Sequence, residues 1–171
     1  MKIYLAGSVP KGDKEAKSYV NWRKEYFRII SQQINGAKLL DANDFYKLEG
    51  DSKALLGAEC LHIRESDLVV VNAEEKLGAG TSMELVIAKY FGKPIITVLP
   101  KDSFHRRLNL TFEGREVKDW VHPFIDSFSD IIIENVSEVK AAIEKIKNQK
   151  IKEISIIEES IKYVENILNN L

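Results

Sequence analysis

The residue in this chain best suited to chemistry is Glu84, in the run Gly78-Ala79-Gly80-Thr81-Ser82-Met83-Glu84-Leu85. It follows the apolar stretch Ser66-Asp67-Leu68-Val69-Val70-Val71-Asn72, which reads as a buried parallel strand. The glycines and Thr81 then open a helix expected over 82–91, ended by Gly92-Lys93-Pro94. Such a strand–loop–helix unit sets the helix-opening residues at the carboxyl edge of a sheet, where open α/β folds bind ligands. Backbone amides and the helix dipole there favour an ionised carboxylate. An ionised, positioned carboxylate is what a nucleophile for a sugar carbon requires. The plainer alternative is a surface glutamate that improves the first turn of a helix.

The elements that must position Glu84 follow from periodicity. Residues 2–6 read as a first strand, stopped by Gly7-Ser8-Val9-Pro10-Lys11-Gly12. Asp13 is a candidate cap for a helix running to about Ile34, with Tyr19, Trp22, Tyr26, Phe27, Ile29 and Ile30 at helical spacing. Asn35-Gly36 closes it, and 37–40 form a short second strand. Residues 41–51 are polar with Phe45, Tyr46 and Leu48 embedded, a loop expected to lie over a ligand. A helix over 53–65 carries Leu55, Leu56, Cys60 and Ile63 on one side. Strands follow at 67–72, 94–99 and 130–134, and a helix over 137–148. The segment 100–123 reads as long and irregular, a functional loop or part of an interface. This βα alternation predicts an α/β fold: a doubly wound, flavodoxin- or Rossmann-like parallel sheet of about five strands with helices on both faces.

The domain is expected over 1–150, with 151–171 a helical extension. In that extension Ile154, Ile157, Ile161, Val164 and Leu168 form a narrow stripe at spacings of 3 and 4. It either packs back on its own domain or meets another subunit, as a helix-pair seam does.

Composition excludes several function classes. The 171 residues are 44% hydrophobic and 30% charged, with net charge −1 and both signs interspersed. No basic footprint for nucleic acid or an anionic membrane is present. A single cysteine, Cys60, rules out an internal disulfide and fits a reducing compartment, so a cytoplasmic location is expected. No apolar run suits a signal peptide or a membrane span. His62, His105 and His122 are scattered without ligand spacing, so no metal site is expected, and no cofactor either. Cys60 reads as a small core residue rather than a nucleophile.

Three segments taken together, Tyr4-Leu5-Ala6-Gly7-Ser8, Ser66-Asp67-Leu68-Val69-Val70 and Gly80-Thr81-Ser82-Met83-Glu84-Leu85, resemble the nucleoside 2-deoxyribosyltransferase family. That family includes the related 2′-deoxynucleoside 5′-monophosphate N-glycosidases, and the resemblance spans residues 1–150 in order and spacing. It implies that Glu84 attacks C1′ of the sugar, displaces the base and forms a glycosyl-enzyme, from which a second base or water takes the sugar. A fixed anion below C1′ suits an oxocarbenium-like transition state. The resemblance also implies that the Tyr4 hydroxyl orients this nucleophile; a core aromatic with a satisfied hydroxyl is the alternative. Glu59 stands eight positions before Asp67, where family members carry an aspartate that helps protonate the leaving base. Here the carboxylate is one methylene longer, and Glu59 is equally readable as a solvated helix residue. Asp67 itself is expected to cap or orient its strand.

The turn with Gly7, Ser8 and Lys11 matches the place where the monophosphate hydrolases hold a 5′-phosphate, although Pro10 and Lys11 replace the expected arginine and glycine. Gly78, Gly80 and Ser82 complete the expected substrate-binding set. Asn109, in Arg107-Leu108-Asn109-Leu110, matches a segment that reaches into a neighbouring subunit's site, which implies a homo-oligomer, at least a dimer. The expected partners are therefore a nucleoside or nucleotide and a free base. Sugar transfer to another base is the leading expectation, with transfer to water close behind. A phosphoribohydrolase of the cytokinin-activating type is a weaker match, because Ala79 breaks its glycine pattern. A nucleotide-binding sensor without catalysis is the remaining alternative.

Overall fold

The computed structural model describes residues 1–41, 47–48 and 50–169. Five strands form one parallel sheet: β1 (Lys2–Ala6), β2 (Lys38–Leu40), β3 (Leu68–Asn72), β4 (Ile95–Val98) and β7 (Ile131–Ile133), in the order β2-β1-β3-β4-β7. The apolar runs account for this: β1, β3 and β4 are buried along nearly their whole length, as strands covered on both faces must be. Register pairs Tyr4 with Val69 and Val69 with Ile95 across the sheet centre. The Asp67 carboxylate accepts the Lys2 N–H at 2.7 Å, which ties the start of β1 to the approach of β3.

Alternate side chains build two cores. On one face Ile3, Leu5, Leu68 and Val70 meet Tyr26 and Ile30 of α2 (Trp22–Gln33) and Val139 and Ile143 of α6 (Val139–Lys147). On the other, Tyr4, Ala6, Val69 and Val71 meet Ile63 of α3 (Ser52–Glu65), Leu85 and Ala88 of α4 (Ala79–Tyr90), and Phe128 of α5 (Pro123–Phe128). The expected doubly wound α/β architecture is the observed one. The chain leaves β1 toward β2 on one side and returns as β3 on the other, so the crevice for a ligand opens at the carboxyl ends of β1 and β3.

Several expected boundaries are corrected. The single helix from Asp13 to Ile34 is two: α1 (Gly12–Ala16), then α2, whose N-cap Asn21 accepts the Arg23 N–H at 3.1 Å. On α3, Leu56 points to solvent instead of joining Leu55, Cys60 and Ile63. The segment 100–123 is not irregular. It contains an antiparallel hairpin, β5 (Arg106–Phe112) and β6 (Arg115–Val121), joined at Phe112↔Arg115 by Glu113 and Gly114. Both turn residues have positive φ, 49° and 81°, the requirement of a type I′ connection. The loop expected over a ligand, 41–51, falls largely outside the described residues, Phe45 and Tyr46 among them.

The extension forms α7 (Ile156–Leu168). Ile156 packs toward the Phe128 side of the core, while Ile157, Ile161, Val164 and Leu168 remain exposed. Asp130 anchors the approach to this helix. Its carboxylate accepts from the buried Lys89 ammonium at 2.5 Å and from the Ile95 and Lys152 amides at 2.7 and 2.6 Å. Among the described residues no helix is long and apolar enough to cross a membrane.

Candidate active site

Tyr4 and Glu84, eighty positions apart, meet beneath the carboxyl edge of the sheet, where the Tyr4 hydroxyl donates to Glu84 Oε1. Strand β1 turns Tyr4 toward the α3–α4 face, and the second turn of α4 turns Glu84 toward it. Both side chains are buried. Thr81, one turn earlier on α4, is buried as well, and its side chain favours the ionised Glu84 carboxylate. Burial pushes the Glu84 carboxyl from its ordinary 4.5 up to about 7 and the nearby Glu59 charge adds to the rise, while the Tyr4 and Thr81 hydroxyls and the Arg23 charge oppose it. The expectation that helix amides would hold Glu84 firmly ionised is therefore corrected. Helix α4 begins at Ala79, not Ser82, so Glu84 lies past the first turn, where backbone amides no longer lack partners. The Tyr4 hydroxyl is driven far above the usual phenol range by burial and by Glu84, so it remains a neutral donor.

A cavity of about 310 Å³ opens onto Glu84. Its walls bring together Gly7, Ser8 and Lys11 after β1, Glu59 from α3, and Gly78 and Gly80 at the start of α4. Lys76 and Thr81 also line it. A second cavity of about 330 Å³ shares Ser8 and Lys76 with the first and extends past Trp22 and Glu74. Each is at the lower end of the about 300–1,000 Å³ typical of small-molecule sites. Two expected residues are elsewhere. The Ser82 hydroxyl bonds the Gly78 carbonyl, and its side chain lines a separate apolar cavity under the hairpin. Asn109 is exposed on β5 and is not among the residues lining the Glu84 cavity.

Sequence reasoning missed Arg23. Its guanidinium is fully buried and donates from Nε to the Leu5 carbonyl at 3.0 Å and from its two terminal nitrogens to the Ser8 and Gly7 carbonyls, each at 2.8 Å. Asp41 stands 3.5 Å away as counter-charge. Arg23 thus fixes the end of β1 and the turn that forms one wall of the cavity. The signal was present: Arg23 lies in the buried stripe Arg23–Tyr26–Ile30 at helical spacing, a charge where an apolar residue is due. Trp22 backs the same turn. Its indole N–H donates to the Ser8 carbonyl, and a Cβ on Gly7 would meet its ring at 2.5 Å, so only glycine fits there. Lys76 carried no sequence signal.

The Cys60 thiol is pushed up by burial and by Glu59 and Glu84, which keeps it protonated and unreactive. Among the described residues no group of three or more His, Cys, Asp or Glu is arranged to hold a metal ion. The arrangement can present one buried, hydroxyl-bonded carboxylate to an electrophilic carbon, with a second carboxylate lining the same cavity to move a proton.

No family model and no curated protein matches the sequence. Solved structures share the fold. A conserved protein from Enterococcus faecalis V583 superposes with a TM-score of 0.60 at 16% identity, covering 84% of this chain and 97% of that one. A 2-desoxiribosyltransferase from Leishmania mexicana gives 0.55 at 16% identity, covering 85% and 97%. A 2-deoxyribosyltransferase from Bacillus psychrosaccharolyticus gives 0.52 at 15% identity, covering 82% and 90%. At such identities the likeness is one of fold.

Proposed function

We propose that this chain is an enzyme of the nucleoside 2-deoxyribosyltransferase type, which cleaves the N-glycosidic bond of a 2′-deoxynucleoside through Glu84 and transfers the sugar to another base. The observation that carries the reading is the buried Tyr4–Glu84 hydrogen bond at the floor of a cavity that Glu59 also lines. A Glu84 carboxylate oxygen attacks C1′, and the bond from C1′ to the base nitrogen breaks with its electron pair leaving on the base. Glu59 gives the departing base a proton. In the second half, the nitrogen of an incoming base attacks C1′, the ester to Glu84 breaks, and Glu59 takes the proton back. With its pKa about 7, Glu84 is ionised in a large fraction of molecules at neutral pH, and Tyr4 aims the reactive oxygen. The two 2-deoxyribosyltransferases of the same fold support this reading.

One observation favours a second reading, transfer to water from a 5′-monophosphate. Lys11 and Lys76 both line the cavity near the Gly7–Ser8 turn and the start of α4, a cationic setting suited to a phosphate. In either reading Asn109 belongs to the site only if supplied by a second copy of the chain, which its exposed place on the hairpin permits.

The test is base release from a panel of 2′-deoxynucleosides and their 5′-monophosphates, with and without an acceptor base. Free base that appears, and a new nucleoside that forms only with acceptor, support transfer. Release that ignores the acceptor supports hydrolysis. Binding without release would leave the sensor reading, and a Glu84→Ala protein that still releases base would refute the role of Glu84.

A further inference from the structure

The segment 73–78 between β3 and α4 holds Lys76 and Gly78 on the Glu84 cavity and has no regular structure of its own. Its first half is tied to the domain by backbone and side-chain bonds. The Ala73 N–H donates to the Val98 carbonyl at 2.9 Å, the Glu74 N–H to Asn72 Oδ1 at 3.0 Å, and the Tyr26 hydroxyl to Glu74 at 2.7 Å. Its second half is met from outside by two consecutive residues at the base of the hairpin. The Leu77 N–H donates to His105 Nε2 at 2.9 Å, and the Lys76 ammonium lies 5.2 Å over the Phe104 ring.

We propose that His105 is a positioning residue, whose Nε2 lone pair latches Leu77 and so holds segment 73–78 as a wall of the Glu84 cavity. The chemistry of the ring supports this. Accepting at Nε2 fixes the neutral tautomer with its proton on Nδ1. That Nδ1 is buried and has no hydrogen-bond partner among the described residues. A buried donor left unpaired is costly, and a leucine or phenylalanine could occupy the space without that cost. What histidine adds here is the acceptor for Leu77. Burial, His122 at 5.5 Å edge-on, and Lys76 hold the His105 pKa below its usual range, which preserves the accepting form at neutral pH. The hairpin, exposed along most of its length, thereby acquires a role at its base: it braces the segment that carries Lys76.

The effect on turnover rests on the reading of Glu84 above; the latch itself does not, and two measurements separate them. The first is amide hydrogen exchange over 73–78 in ligand-free protein, for wild type, His105→Leu and His105→Gln. Leu77 should exchange about tenfold faster in the leucine variant, the worth of one hydrogen bond, while the glutamine amide oxygen restores protection. The second is steady-state kinetics on the deoxynucleoside that wild type cleaves fastest. KM should rise about tenfold in His105→Leu with kcat nearly kept, and return toward wild type in His105→Gln, because lost positioning weakens binding of substrate and transition state alike. If His105→Leu fails to fold, His105→Asn, too short to reach Leu77, takes its place. Equal exchange in the leucine and wild-type proteins, or equal behaviour of the leucine and glutamine variants, overturns the proposal. Wild type with no turnover refutes the proposed reaction, and exchange alone then decides the role of His105.

Discussion

Replacing Glu84 by glutamine should make the protein more stable, by an amount set by pH. Folding raises this carboxyl from 4.5 to about 7, chiefly through burial. Between those values the folded chain holds a proton that the unfolded chain has released, so stability falls as pH rises through the window. The favourable contribution is complete below 4.5 and gone above about 7. Each pH unit is worth about 1.4 kcal/mol, so the interval from 4.5 to about 7 amounts to ~3 kcal/mol. Glutamine carries no charge at any pH and keeps an oxygen to accept from Tyr4. The stability difference between variant and wild type should thus be small near pH 5 and approach ~3 kcal/mol near pH 8. For a domain of this size that is a rise in Tm of roughly 6–12 °C at the alkaline end. Urea unfolding of both proteins at about four pH values across the window measures it, with the other titrating groups cancelling in the difference. A difference that does not change with pH, or a variant less stable than wild type near pH 8, would refute the argument from burial.

Three further outcomes follow from the same contacts. Tyr4→Phe removes a donor that lowers the Glu84 pKa, so the acidic limb of the pH–rate profile should move up by about one unit, with kcat/KM at neutral pH falling about fivefold. Arg23→Met leaves the Leu5, Gly7 and Ser8 carbonyls without their buried donors and should cost ~3 kcal/mol or more in urea unfolding. Lys89→Met strands the buried Asp130 carboxylate, and a loss of about 3 kcal/mol should appear as a lower thermal midpoint.

The sheet was legible because its strands are continuous apolar runs punctuated by glycine, proline and polar turns, and burial on both faces demands that pattern. The carboxyl-edge rule was enough to place Glu84 and the turn after β1 around one crevice, whereas Glu59, on a helix, was reached only through the family resemblance. The hairpin was not legible. Leu108, Leu110 and Phe112 alternate along β5, yet both strands are mostly exposed, so no buried face marks the period, and Glu113-Gly114 lacks the usual Asn or Asp of a type I′ turn. Arg23 showed in the sequence only as a charge within an apolar stripe; its role did not, because most of its partners are backbone carbonyls, which sequence does not display. The ionisation of Glu84 was misjudged by one helical turn, since a start at Ala79 takes it away from the free amides and leaves burial in control.

The most direct test of the central claim is to trap the sugar on the enzyme. A 2-fluoro-2-deoxynucleoside should slow breakdown of the glycosyl-enzyme, and peptide mass analysis should then find one fluorosugar on the peptide containing Glu84, absent from the Glu84→Gln protein. Base released without a covalent adduct, or an adduct on Glu59 or another residue, would contradict the account.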